Sequence, residues 1–105
     1  MSPRELEASL LLQAAARLQT VQDSWDGKQG ELDEALLFNR KLWSVFLSEM
    51  TDTKHPMPRN VRQNVANLGL FVMNQTVAVL QDRRPEQLGS LISINRELAA
   101  GLLSS

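Results

Sequence analysis

Three interruptions organise this chain. Asp26-Gly27-Lys28-Gln29-Gly30, the stretch Thr51-Asp52-Thr53-Lys54-His55-Pro56-Met57-Pro58-Arg59-Asn60, and Gln81-Asp82-Arg83-Arg84-Pro85-Glu86-Gln87 gather turn formers and helix breakers. Between them, apolar residues recur at spacings of three and four, the period of a helix with one buried stripe. No alternation of period two, no low-complexity segment and no repeat beyond a short Asn-Arg echo interrupts that pattern. Leu, Ala, Gln, Glu and Arg dominate and Tyr is absent, which favours helix over sheet. With 105 residues, 43% of them hydrophobic, the chain suits one domain over residues 1–105, and four helices with short connections predict an all-α, small antiparallel bundle.

Ser2, Pro3 and Glu5 have the spacing of a capping box with Pro at the first helical position. The first helix is expected to carry Leu6, Leu10, Ala14, Leu18, Val21 and Trp25 inward, and to end at Asp26-Gly27. After the loop Asp26 to Gly30, the acidic residues Glu31, Asp33 and Glu34 complement the dipole of a second helix. Its stripe is Leu32, Ala35, Leu36, Asn39, Leu42, Trp43, Phe46 and Met50. Pro58 is expected to open a third helix with Val61, Val65, Leu68, Val72, Gln75 and Val79 inward and Phe71 beside them. Gly69 marks a weak spot there or a close helix approach. Pro85 and Glu86 start a fourth helix with Leu88, Leu91, Ile92, Asn95, Leu98, Ala99 and Leu102 inward.

Little in the sequence supports catalysis. There is no Cys, so thiolate metal sites and Cys nucleophiles are excluded. The single His55 lies between Lys54 and Pro56 in a broken loop, where a solvated residue is the plainer explanation. Glycines stand singly, so no phosphate-cradling loop is present, and no enzyme activity, cofactor or metal is expected. Net charge is −1, with an acidic front half and a mildly basic remainder, which argues against a nucleic-acid footprint. A small basic rim from Arg59, Arg62, Arg83 and Arg84, to which Arg40 and Lys41 could add, is the RNA-binding candidate. The N-terminal segment has charges at Arg4, Glu5, Glu7 and Arg17 and no apolar run long enough for a leader or a span, so a cytoplasmic location without membrane insertion is expected.

Partner binding has more support. Leu12, Leu37, Phe38, Leu47, Leu70, Met73 and Val77 fall off the inward stripes, which suggests a groove for an amphipathic helix. Phe38, Leu47, Leu70, Met73 and Val77 are the candidate anchors, with Arg40 and Arg96 orienting carboxylates; self-association through the same surface stays open. Asn39 and Asn95 each interrupt an apolar stripe. They are expected to be structural polar core residues that set helix register, since a buried amide without partners costs about 1–3 kcal/mol.

Trp25-Asp26-Gly27, Leu32 to Leu36, Asn39-Arg40-Lys41-Leu42-Trp43, Asn64 to Val72 and Ile94-Asn95-Arg96, in this order along nearly the whole chain, resemble the FlaF family of flagellar biosynthesis regulators of alphaproteobacteria. Met73-Asn74-Gln75 departs from the family pattern, which is more charged there. The resemblance implies a non-enzymatic, cytoplasmic, all-helical protein required for flagellin synthesis and secretion. It would act as a flagellin-binding, export-chaperone-like protein in concert with FlbT, a regulator of flagellin messenger translation. The alternative is a translational regulator that acts on flagellin mRNA directly or as an adaptor to FlbT.

Overall fold

Ser2 caps the first helix: its Oγ accepts from the Glu5 amide at 3.2 Å. The computed structural model describes residues 2–27 and 29–104. It contains α1 (Pro3–Asp23), α2 (Gln29–Met50), α3 (Arg59–Asp82) and α4 (Leu88–Ser104), with single 3-10 turns at Trp25–Gly27 and Pro85–Gln87, and no strand among those residues. The Cα envelope measures 44 × 27 × 17 Å, two helix layers in thickness.

Packing is uneven. α1 lies along α4 most extensively and also against α2, while α3 lies along α2 and meets α4 only sparsely. α1 and α4 are therefore the closest pair, α2 lies between α1 and α3, and α3 is attached mainly through α2 to the α1, α2, α4 unit. Leu11, Leu18, Leu32, Leu36, Trp43, Leu88 and Leu91 are fully enclosed at its centre. The Trp43 and Phe46 rings meet edge to face, with centroids 5.6 Å apart.

The stripes of α2 and α4 lie inward as their periodicity predicts, except that Leu42 and Leu98 are only partly covered. Two expectations need correction. In α1 the inward residues of the first turns are Ala8 and Leu11, and Leu6 is 51% exposed, because the small Ala8 and Ala15 let α4 approach that face closely. In α3, Val61 and Leu68 of the expected stripe are more than a third exposed, because a helix attached on one side buries a narrower arc. Boundaries shift as well. Gln29 and Gly30 begin α2 instead of ending a loop, Pro58 is the N-cap residue before α3, and Pro85 opens a 3-10 turn that leads into α4. Lys28, in the expected first loop, lies outside the described residues.

Gly69 has a clear physical role. A methyl group placed on it would lie 2.5 Å from Leu47 Cδ2 and 2.8 Å from Leu47 Cγ, so the absence of a side chain is what lets α2 seat Leu47 on α3. The far end of this helix pair is held differently. Arg83 terminates α3 in the left-handed conformation (φ 48°, ψ 58°), its amide donates to the Val79 carbonyl, and its guanidinium pairs with Asp33 of α2 at 3.1 Å. Glycine is the usual residue in this conformation. Here the strain of a side chain accompanies a tie between two helix ends.

Candidate partner-binding site

Asn39 and Asn95, separated by 56 residues in sequence, meet in the core with no solvent exposure. The Trp43 indole N–H donates to Asn95 Oδ1 at 2.9 Å, and Asn95 Nδ2 donates to Asn39 Oδ1 at 2.6 Å and to the Leu11 carbonyl at 3.4 Å. An indole can only donate, so it fixes the polarity of the whole series: Asn95 must turn its oxygen to Trp43 and its amino group to Asn39. Asn39 must then present its own oxygen, and its amino group has no partner among the described residues. One polar chain thus joins α1, α2 and α4. It is enclosed on all sides and offers nothing to a ligand from solution.

The seven candidate contact residues fall into three places. Phe38 faces α1, where the Arg17 guanidinium stacks 4.3 Å from its ring centre. Arg96 is on α4, with its side chain 3.4 Å from Gln19 Oε1 of α1. The other five belong to the α2–α3 side. Leu47 is half-buried on Gly69, Met73 packs partly against the core, and Leu70 and Val77 are 59% and 53% exposed. Arg40 borders a hollow of about 250 Å³ with Asp33, Leu36, Leu37, Thr76 and Leu80.

That hollow lies between exposed apolar residues of two helices. Leu37 on α2 and Leu80 on α3 border it, both more than two-fifths exposed, and Val77 stands one turn before Leu80. The Arg83–Asp33 pair closes one end, while the Arg40 side chain has no ion-pair or hydrogen-bond partner among the described residues. A cation among apolar groups suits a helix that carries a carboxylate beside its apolar stripe. Leu37 and Leu80 border this hollow although neither is among the candidate anchors. Their signal was present, since Leu80 continues the spacing Leu70, Met73, Val77.

The basic rim is largely occupied internally. Arg62 donates to the Met50 and Asp52 carbonyls at 3.4 and 3.0 Å, at the C-terminus of α2, where a cation also complements the helix dipole. Arg84 pairs with Asp82 at 2.7 Å, and Arg83 with Asp33. His55 Nδ1 accepts from the Met57 amide at 3.2 Å, which holds the loop before α3. Beside it, Glu7 of α1 lies against Glu49 of α2. Burial first, and then the neighbouring Glu49 carboxylate and its hydrogen bond, hold the Glu7 carboxyl above its ordinary range, partly offset by His55 and Arg4. Among the described residues no group of three His, Asp or Glu side chains could hold a metal ion, and no helix is long and apolar enough to cross a membrane.

A family model for the flagellar protein FlaF matches residues 1–102. No curated protein and no solved structure shows a significant match. A family match that spans all four helices, including the buried Asn pair and the α2–α3 face, identifies the chain as a member of the FlaF family of flagellar proteins.

Proposed function

We propose that the protein is a non-enzymatic flagellin-binding factor, export-chaperone-like and acting in concert with FlbT, that holds an amphipathic flagellin segment on its α2–α3 face. Family membership supports the flagellar context. The observation that carries the binding mode is Arg40, which borders the hollow between Leu37 and Leu80 with no side-chain partner among the described residues, while Asp33 of the same hollow is paired with Arg83. Apolar anchors would supply affinity and Arg40 would set orientation through a carboxylate of the segment. A direct reader of flagellin mRNA has less support, because Arg62, Arg83 and Arg84 already serve the fold.

Calorimetric titration with purified flagellin tests this. Wild-type protein binds, and Arg40→Glu combined with Val77→Gln and Leu80→Gln weakens binding at least tenfold, about 1.4 kcal/mol, with unchanged helicity. No heat with full-length flagellin, while binding to FlbT persists, would replace the chaperone reading with an adaptor.

A further inference from the structure

α3 carries apolar residues on a second flank, turned away from the α2–α3 hollow. Val61 borders a different hollow of about 320 Å³, shared with Val65 of α3 and with Leu98, Gly101 and Leu102 of α4. Fourteen residues later, Gln75 on the same flank donates to the Gln87 carbonyl, just before α4 begins. Leu68, seven residues after Val61, follows the same gap between the two antiparallel helices, and Phe71, one turn further on, stands at its outer edge. Val61, Leu68 and Phe71 are 38%, 37% and 45% exposed. From Val61 to Gln75 the gap runs roughly 21 Å, the length of four helical turns.

The chemistry of this gap is distinctive. Residues 63–81 contain no charged side chain, and the exposed residues beside the flank are Asn60, Asn64 and Asn67. An exposed helix face normally carries charge. Across the gap, residues 88–95 are also uncharged. Arg4 at the mouth and Glu97 next to Leu98 are single charges of opposite sign. A strongly acidic or basic partner finds no counter-charge along it. Asn side chains both donate and accept, so they fit a partner whose polar groups do the same.

We propose that the α3–α4 gap is a second docking groove, for an amphipathic helix whose apolar stripe is bordered by amide and hydroxyl side chains and not by charges. α3 would then be shared between two partners, one on each flank. The inference is independent of what occupies the α2–α3 face.

The test uses the full chain and a synthetic 16-residue helical peptide with Leu at heptad a and d positions and Asn, Gln and Ser elsewhere. The same peptide with Glu, or with Lys, at the polar positions serves as control. The neutral peptide is expected to bind at least tenfold more tightly than either charged form, and to shift the amide resonances of residues 61–71 and 98–102. Val61→Gln with Leu68→Gln and Phe71→Gln, all partly exposed positions, should weaken it at least tenfold with unchanged helicity at the titration temperature. Leu37→Gln with Val77→Gln should leave it within twofold. Equal binding of a charged peptide, insensitivity to the triple variant, or shifts confined to the α2–α3 face would overturn the proposal. So would a concentration-dependent dimer in sedimentation that the triple variant abolishes, because a second copy would then be the occupant. Failure here leaves the flagellin titration, which reports on Arg40, Val77 and Leu80, untouched.

Discussion

The centre of the α1, α2, α4 unit and the surface of α3 solve opposite problems with the same residue type. At the centre, Asn39 and Asn95 are enclosed and bonded to each other, and Asn95 also to Trp43 and the Leu11 carbonyl, so their polarity ties α1, α2 and α4 into one register. On α3, Asn60, Asn64 and Asn67 are exposed beside Val61, Leu68 and Phe71, which α4 covers only in part. A polar residue inside and apolar residues outside are both departures from a simple bundle pattern. The first ties three helices together, and the second leaves apolar surface exposed on α3.

The sharpest way to break this comparison is at Asn95. Asn95→Leu leaves the Trp43 N–H and the Asn39 amide without partners and should cost about 2–6 kcal/mol in a denaturant melt, if each orphaned group costs about 1–3. Asn39→Leu alone should cost about 1–3 kcal/mol and broaden the dispersion-sensitive side-chain resonances while helicity persists. The double variant should cost less than the sum of the two by at least about 1 kcal/mol, since the pair is in direct contact. Additive effects would mean that the two amides are not coupled.

Gly69→Ala probes the attachment of α3. The added methyl group displaces Leu47, and overpacking of about 1–3 kcal/mol outweighs a gain of at most about 1 in helix propensity. In a Leu47→Ala background the same change should become neutral or stabilising. Arg83→Gly removes left-handed strain worth about 1 kcal/mol but also an exposed ion pair worth no more than that, so the net change should lie between zero and a gain of about 1. The smallest effect is expected at Glu7→Gln, within about 0.5 kcal/mol of wild type. Because the folded-state carboxyl titrates above its unfolded value, wild-type stability should decline as pH rises between those two values, and the variant should lose that slope. An unchanged slope would show that Glu7 is not the group responsible.

Much of this architecture was readable from periodicity and breakers. The four helices, the Ser2 cap and the stripes of α2 and α4 follow from local rules that need no neighbour, whereas Gly69 could be read as a weak spot or a close approach until Leu47 is seen against it. The failures came where neighbours decide. Leu6 has the right spacing, yet Ala8 and Leu11 are the residues enclosed there, and Val61 and Leu68 lie on the flank of a stripe that its neighbours cover only in part. A periodic pattern states which face of a helix is apolar, but not how many helices meet it. The candidate site divided for the same reason. Arg40, Leu70, Met73 and Val77 are on the α2–α3 side, whereas Phe38 lies under Arg17 and Arg96 turns toward Gln19, contacts across 21 and 77 residues. The Asn echo was visible, but that the two residues answer each other across the core was not.

Amide hydrogen exchange on the full chain, alone and with saturating purified flagellin, tests the division between a specified core and an exposed α3 most directly. Alone, α3 should exchange faster than α1, α2 and α4, and flagellin should slow exchange around residues 70–80 and 37–40 while leaving Leu11, Trp43 and Asn95 unchanged. Protection that appears on the outer face of α1, or not at all on α3, would contradict the account.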